Sequence, residues 1–315
     1  MKLVMTIVCG DEAAVVDAQI AFHLHAGVDL IVADLPSSTP VAGVLEAYAR
    51  EGYVHLVRDP NHTAPLSQRV MRAARFAAAE LDADWVLSSD EGEFWWPRGG
   101  TLKEVLAAIP QRYGVVRALP RSIVLRPDDG LFFAEQLTVR LSSQALVGAR
   151  DGATRSLLRS VYRAEVNMNL DRDSALGESL LLPLRGWYPI EVFRLPTHGH
   201  EQAIVDDNSL ARGLDDGSLV VDTRLRDVLR VLRLPESEPR ADLGFARPAE
   251  GSALSFPRPS VVDDAAYAVE VAAFGEVDES AIRRRLDEAE QRIARLELTI
   301  WARAQRTLRR LVRGR

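Results

Sequence analysis

The chain has 315 residues, of which 47% are hydrophobic and 27% are charged, so it is long enough to bury a sizeable core. Its net charge of −6 argues against a general nucleic-acid binder, and its single cysteine excludes a disulfide framework or a zinc site built on cysteines. The first apolar run is too short for a signal peptide or a membrane span, so we expect a cytoplasmic protein.

The first part of the chain alternates between strand and helix patterns. Short apolar runs rich in β-branched residues predict buried strands, and longer runs that follow a capping residue or end at glycine predict helices. Regular alternation is typical of right-handed βαβ units, so the sequence predicts a mostly parallel sheet with helices on both faces. The predicted strands are 3–8, 28–34, 53–57 and 84–90, and the predicted helices are 11–27, 39–52 and 67–83.

The alternation of strand and helix patterns is less regular in the second half of the chain. Apolar runs at 131–142 and 188–195 predict strands, and the amphipathic run 222–234 predicts a helix. Residues 235–260 are rich in proline, serine and glutamate, a composition typical of a linker. We expect three parts, namely a globular domain over 1–235, a Pro-rich linker and small segment over 236–278, and a C-terminal helix over 279–315.

The C-terminal segment combines a heptad pattern with a basic end. Apolar residues recur at alternating spacings of four and three over 282–300, which indicates a coiled-coil seam and self-association through 279–300. Residues 300–315 carry several arginines and no acid. This end is either a solvated basic helix or a peripheral contact with an anionic membrane surface.

Acidic residues follow the predicted strands at the edge of the sheet where ligands bind. Asp11 and Glu12 come after the first strand, Asp34 ends the second and Asp90 ends the fourth. Because the carboxyl ends of parallel strands meet at one edge, we expect these acids to lie close together. They can hold a divalent cation that binds a diphosphate, or accept hydrogen bonds from ribose hydroxyls. For Asp11 and Glu12, a role at the start of the first helix is the alternative.

Two tryptophans stand close behind the acid that ends the fourth predicted strand. The stretch 86–100 is VLSSDEGEFWWPRGG, in which Trp95 and Trp96 follow Asp90 within a few residues. Aromatic faces stack on the CH surfaces of sugars, but tryptophans are more often core residues, so both interpretations stay open. No glycine-rich dinucleotide motif and no P-loop motif follows the first strand.

Three stretches of the sequence resemble a known family. MTIVCGDEAAVVDAQIAFHLHAGVDLIVADLPSS, ADWVLSSDEGEFWWPRGGTLKEVLAAIP and RGWYPIEVFRLP are similar to the family-2-like glycosyltransferases of GT-A fold, including those that share the domain of unknown function 23. The resemblance covers about residues 1–235. It implies a GT-A-like αβα sandwich and an enzyme that transfers a sugar from a nucleotide-diphospho-sugar donor to a hydroxyl acceptor.

The resemblance also implies roles for individual residues and a divalent cation, Mn²⁺ or Mg²⁺, as cofactor. Asp34 would contact the nucleoside, and Asp90 would be the first acid of the metal motif. Glu93, Trp95 and Trp96 would border the sugar and the acceptor.

The chain departs from the family's pattern at three positions around the donor. Gly92 stands where the family usually has the second aspartate of its metal motif, Gly10 where it prefers a basic residue, and Thr39 where it has an aspartate. Glu91 or Glu93 is the candidate for the missing metal ligand. These departures favour the alternative function, a non-catalytic transferase-like binding or scaffold protein.

The histidines fall into two groups. His198 and His200 are candidates for a further metal ligand, since imidazole binds Mn²⁺, and an exposed loop pair is the alternative. His23 and His25 lie on the first predicted helix, where we expect them to be structural residues.

Overall fold

The structure, a computed structural model, describes most of the chain up to residue 268. It describes residues 1–9, 11–34, 41–57, 65–126, 132–148, 159–164, 169–171, 174–176, 180–182, 188–196, 205–234, 244–248, 254–258 and 267–268. The predicted helix over 279–315 and the positions of Gly10, Thr39, His198 and His200 lie outside these residues. In the described ranges, no helix has both the length and the apolar composition needed to cross a bilayer.

The first half of the fold confirms the predicted alternation of strands and helices. The elements are β1 (Leu3–Val8), α1 (Ala13–His25), β2 (Leu30–Asp34), α2 (Ala42–Arg50), β3 (Val54–Val57), α3 (Leu66–Glu80) and β4 (Trp85–Asp90). β1 lies between β2 and β4, β3 pairs with β2, and all four strands are parallel.

The second half contains shorter and more varied elements. They are β5 (Glu93–Pro97), α4 (Leu102–Ala107), β6 (Tyr113–Ser122), β7 (Val139–Leu141), α5 (Ser143–Gly148), β8 (Arg159–Arg163), β9 (Asn169–Asp171), β10 (Ser174–Leu176), β11 (Leu180–Leu182), β12 (Ile190–Arg194), α6 (Asp207–Asp215), β13 (Leu219–Val221) and α7 (Arg224–Leu232). The predictions of a strand over 188–195 and a helix over 222–234 are confirmed by β12 and α7.

The predicted strand over 131–142 is wrong in its first part. Phe133–Gln136 form a turn of 3-10 helix, and only Val139–Leu141 are a strand. Ala134 and Leu137 are both fully buried and stand three residues apart. This is the period of a 3-10 helix, whereas a strand buries alternate residues.

One large mixed sheet organises the molecule. It has nine strands in the order β3-β2-β1-β4-β8-β6-β12-β5, with β11 paired to β6. The prediction of an α/β fold is confirmed, but the sheet is less uniformly parallel than predicted, since β8 and β5 are antiparallel to their neighbours. Only Glu91 and Gly92 separate β4 from β5, which lies at the end of this order. The sheet therefore curls to bring the two strands together.

The two faces of the sheet are covered by different helices, because alternate residues of each strand point to opposite faces. On one face, Val4 of β1 and Val86 of β4 pack with alanines of α3. On the other face, Met5 and Leu87 join the larger core that includes α1, α2 and α7. α1 is buried along almost its whole length, so its few polar residues need internal partners.

Part of the predicted linker is packed onto the globular domain. Phe245 and Phe256 are buried in the main core. The Gly244 N–H donates to Asp17 Oδ2 at 2.6 Å, and His25 Nε2 donates to the Ala246 carbonyl at 3.1 Å. These residues of the predicted linker and small segment therefore contact the globular domain, and we call 244–258 the returning segment, of which 249–253 lie outside the described residues.

The carboxyl group that anchors the returning segment has an unusual pKa. Burial raises the pKa of Asp17 to about 6, although hydrogen bonds from the Gly244 N–H and the Tyr48 hydroxyl favour its charged form. Because the folded pKa lies above the unfolded one, the folded state binds the extra proton, and stability falls as the pH rises from about 4 to about 6.

Asp17→Asn is expected to remove this pH dependence. Over the same pH range, the free energy of unfolding of the variant should rise by about 3 kcal/mol relative to that of the wild type, at about 1.4 kcal/mol per pKa unit. Urea unfolding at several pH values measures this difference. Tyr48→Phe is the matched control, because it removes a hydrogen bond to Asp17 but keeps the titrating carboxyl group. A difference between Asp17→Asn and wild type that stays constant with pH would contradict the prediction.

Candidate functional site

The predicted acids at the strand ends stand in one row of the sheet. Val8, the last residue of β1, is the register partner of both Asp34 at the end of β2 and Asp90 at the end of β4. Arg194, the last residue of β12, is the register partner of Glu93, the first residue of β5. The carboxyl edge of the curled sheet therefore carries charges of both signs. We call Asp90, Glu93, Arg159 and Arg194 the edge cluster.

Arg159 links the two acids of the edge cluster. It is the first residue of the antiparallel strand β8, which places it at the same edge. Its Nη2 lies 2.6 Å from Asp90 Oδ2, and its Nε lies 2.7 Å from Glu93 Oε1. Arg194 Nε lies 3.2 Å from the same Glu93 oxygen. The side chains of Glu93 and Arg159 are 3% and 9% exposed, whereas that of Asp90 is 30% exposed.

Glu12 at the start of α1 and Glu91 in the β4–β5 turn contact each other through a backbone N–H. Glu12 occupies the N-cap position, and its backbone N–H donates to Glu91 Oε1 at 2.9 Å. A carboxylate beside a helix N-terminus is stabilised by the helix dipole, so Glu91 attaches the start of α1 to the β4–β5 turn. Asp11 is exposed just before the helix.

The acids predicted to bind a divalent cation do not form a shared cation site. Asp90 and Glu93 contact the Arg159 guanidinium, and Glu91 contacts a backbone N–H. In the parts of the chain that the structure describes, no group of three histidine, cysteine, aspartate or glutamate residues is placed to hold a metal ion. The edge cluster therefore does not fit a resident Mn²⁺ or Mg²⁺ as it stands.

Gln19 of α1 holds the β4–β5 turn in place. Its Nε2 donates to the carbonyls of Asp90 and Glu93 at 2.8 and 2.9 Å, and its Oε1 accepts from the Gly92 N–H at 3.1 Å. Gly92 has a φ of 77°, a left-handed conformation that glycine adopts without steric cost. The turn that carries Asp90 and Glu93 is thus fixed by a buried side chain.

The two tryptophans are core residues. Trp95 is fully buried, and its Nε1 donates to Ser89 Oγ at 3.2 Å. Trp96 is 7% exposed, and its ring lies 4.5 Å from that of Phe256 between centroids. Both rings are therefore occupied by internal contacts, and of the two interpretations of this pair the buried one describes the structure.

His23 is a structural residue, as predicted. Its Nδ1 donates to the Gln19 carbonyl at 2.7 Å, and its Nε2 accepts from the Trp95 N–H at 3.1 Å. Burial lowers the pKa of His23 to about 4, so the ring is neutral at pH 7, as its acceptor role requires.

A small cavity with a lining that is more apolar than polar lies beside the edge cluster. It is enclosed by β1, β4, α3 and the Arg159 side chain, and its polar lining comes from Thr6, Ser88, Ser89 and Asp90. Its volume of about 20 Å³ has room for a single water molecule.

Comparison of the sequence with models of known protein families and with curated proteins finds no match. The chemistry of the carboxyl edge therefore has to be inferred from its own residues.

Three residues that shape this edge were not among the sequence candidates. Gln19 could have been recognised from the sequence, since it is a polar residue within a run of apolar helix positions. Arg194 could also have been recognised, because it stands near the end of a predicted strand. Arg159 could not have been recognised, because the strand β8 that positions it was not predicted.

Proposed function

We propose that the chain is a GT-A-like glycosyltransferase that binds a nucleotide-diphospho-sugar at the carboxyl edge of the sheet. The observation that carries the proposal is the common register of Asp34 and Asp90 with Val8. In open α/β sheets, ligands bind outside the carboxyl ends of the strands, and here that edge carries acids and arginines together. Acids suit the hydroxyl groups of a sugar or ribose, and arginines suit phosphate.

The charges of the edge cluster suit the chemistry of sugar transfer. An oxygen of the acceptor forms a bond to the anomeric carbon, and the bond from that carbon to the diphosphate breaks. The nucleoside diphosphate leaves with the electron pair, and the acceptor's proton passes to a base. Fixed positive groups beside the leaving diphosphate stabilise its growing charge, and Arg159 and Arg194 are such groups. Asp34 stands at an edge position suited to a carboxylate that accepts hydrogen bonds from the ribose.

Calorimetric titration with UDP-sugars and GDP-sugars tests the proposal. We expect one of these donors to bind saturably, and Asp90→Asn, which removes one of the two carboxylates that orient Arg159, to weaken its binding by about tenfold or more. Asp84→Asn is the matched control, since Asp84 lies just before the amino end of the same strand β4, at the opposite edge of the sheet. Absence of binding by all these donors, with and without Mn²⁺, would overturn the proposal.

A second candidate is a non-catalytic binding or scaffold protein of the same fold. The observation that favours it is that Arg159 engages both Asp90 and Glu93, while Gly92 offers no side chain to the turn. Release of nucleoside diphosphate from the bound donor separates the two candidates, because glycosyltransferases slowly transfer sugar to water. A protein that binds the donor and returns it intact is the non-catalytic one.

A further inference from the structure

We propose that Arg159, assisted by Arg194, takes the place of a divalent cation at the carboxyl edge, so that a nucleoside diphosphate binds without metal. This inference rests on the proposed function, because it concerns the diphosphate of the same donor. The sequence predicted that Asp90 and Glu93 bind a cation, whereas in the edge cluster both contact Arg159.

The formal charges of the edge cluster balance. Asp90 and Glu93 together carry −2, and the guanidinium groups of Arg159 and Arg194 together carry +2, so the four side chains sum to zero. Two carboxylates that hold a divalent cation also sum to zero. The edge cluster therefore offers a diphosphate the same formal charge as a metal-loaded carboxylate pair.

The positive charge of Arg159 is fixed in position. The Arg159 side chain is 9% exposed and bridges two carboxylates at 2.6 and 2.7 Å, so it is held in one orientation. A guanidinium that is already oriented loses little entropy when it binds phosphate, and it stays charged at every physiological pH. Arg159 also lines the small cavity together with Thr6 and Ser88, at the edge where ligands bind in open α/β sheets.

A metal ion bound between the two acids would disrupt the edge cluster. A cation that used Asp90 and Glu93 as ligands would have to displace Arg159 from both. The arginine would then be left in a largely buried place without the two carboxylates that compensate its charge there. The cluster as built therefore favours an anion bound next to the arginines over a cation bound between the acids.

The test compares UDP, GDP and inorganic pyrophosphate as calorimetric probes, each in EDTA and in Mn²⁺. For wild-type protein we expect a nucleoside diphosphate to bind in EDTA with an affinity within about twofold of that in Mn²⁺. Arg159→Gln should weaken this binding by about tenfold or more in EDTA. Mn²⁺ should restore part of the affinity of this variant, because Asp90 and Glu93 are then available as ligands.

Arg163→Gln is the matched control on the same strand. Arg163 donates to the carbonyls of Ile109 and Tyr113, away from the carboxyl edge, so its loss should leave binding in EDTA unchanged. If Arg159→Gln does not fold, the wild-type comparison of EDTA with Mn²⁺ decides alone.

The possible results separate the inference from the proposed function. Wild-type binding that requires Mn²⁺ would overturn the inference and leave the transferase proposal standing. Arg159-dependent binding of pyrophosphate without binding of either nucleotide would show an anion site that does not take a nucleoside diphosphate, and it would overturn both. Absence of binding by all three probes in both conditions would overturn both.

Discussion

Replacing Glu191 by glutamine is expected to lower the free energy of unfolding by about 3–5 kcal/mol, the usual cost of breaking a buried ion pair. Glu191 of β12 is fully buried, and its carboxylate accepts hydrogen bonds from Arg121 at 2.6 Å and from Arg224 at 2.7 Å. The glutamine variant would leave both guanidinium groups without this counter-charge. Urea unfolding of the variant and the wild type at pH 7 measures the loss.

Glu135→Gln is the matched control for this prediction, because Glu135 also pairs with an arginine of α7 but does so at the surface. Solvent screens exposed pairs, so this variant should unfold much like the wild type. An equally small effect of Glu191→Gln would contradict the prediction. Burial opposes the ionisation of Glu191, but Arg121 and Arg224 outweigh it and hold its pKa far below the usual value. Its stabilising contribution is therefore present at neutral pH and is lost as the medium becomes acidic.

Trp96→Ala is also expected to cost about 3–5 kcal/mol of unfolding free energy, as for other buried aromatic side chains. The ring of Trp96 packs between Phe22, Phe193 and Phe256, so its removal leaves a cavity in the main core. Thermal and urea unfolding of the variant measure this loss.

Trp96→Phe is the companion variant, since it keeps an aromatic ring in the same place and should lose less stability. Donor affinity, measured on the folded fraction of each variant, should follow the wild type. The opposite pattern, in which Trp96→Ala keeps its stability and loses the donor, would show that this ring contacts a ligand.

The sequence predicted the elements whose signal is local. The strands β1 to β4 are short apolar runs separated by helical patterns, and parallel neighbours follow from that alternation. β6 was not predicted, because it contains Pro120 and two buried arginines, Arg117 and Arg121, which argue against a central strand. In the structure, Arg121 is compensated by Glu191 on the neighbouring strand β12, a partner that no local pattern reveals.

The candidate site was also predicted only in part. The positions of Asp34 and Asp90 at one edge followed from strand order alone. The contacts of the carboxylates did not, since Asp90 meets Arg159 across 69 positions of sequence. Gln19 meets the carbonyl of Glu93 across 74 positions. Charge compensation by distant strands depends on how the sheet curls, and this curl results from long-range pairing rather than local preference.

During synthesis, helix α1 can complete its packing only after the returning segment has been made. Gly244 follows Asp17 by 227 positions, and Ala246 follows His25 by 221. These partners leave the ribosome long after helix α1, because they follow it in the sequence by more than 200 residues. Until then its polar anchors and the apolar positions that receive Phe245 and Phe256 lack these partners, and transiently exposed apolar surface of this kind is prone to aggregation. Helix α1 is therefore synthesised well before its packing can be completed.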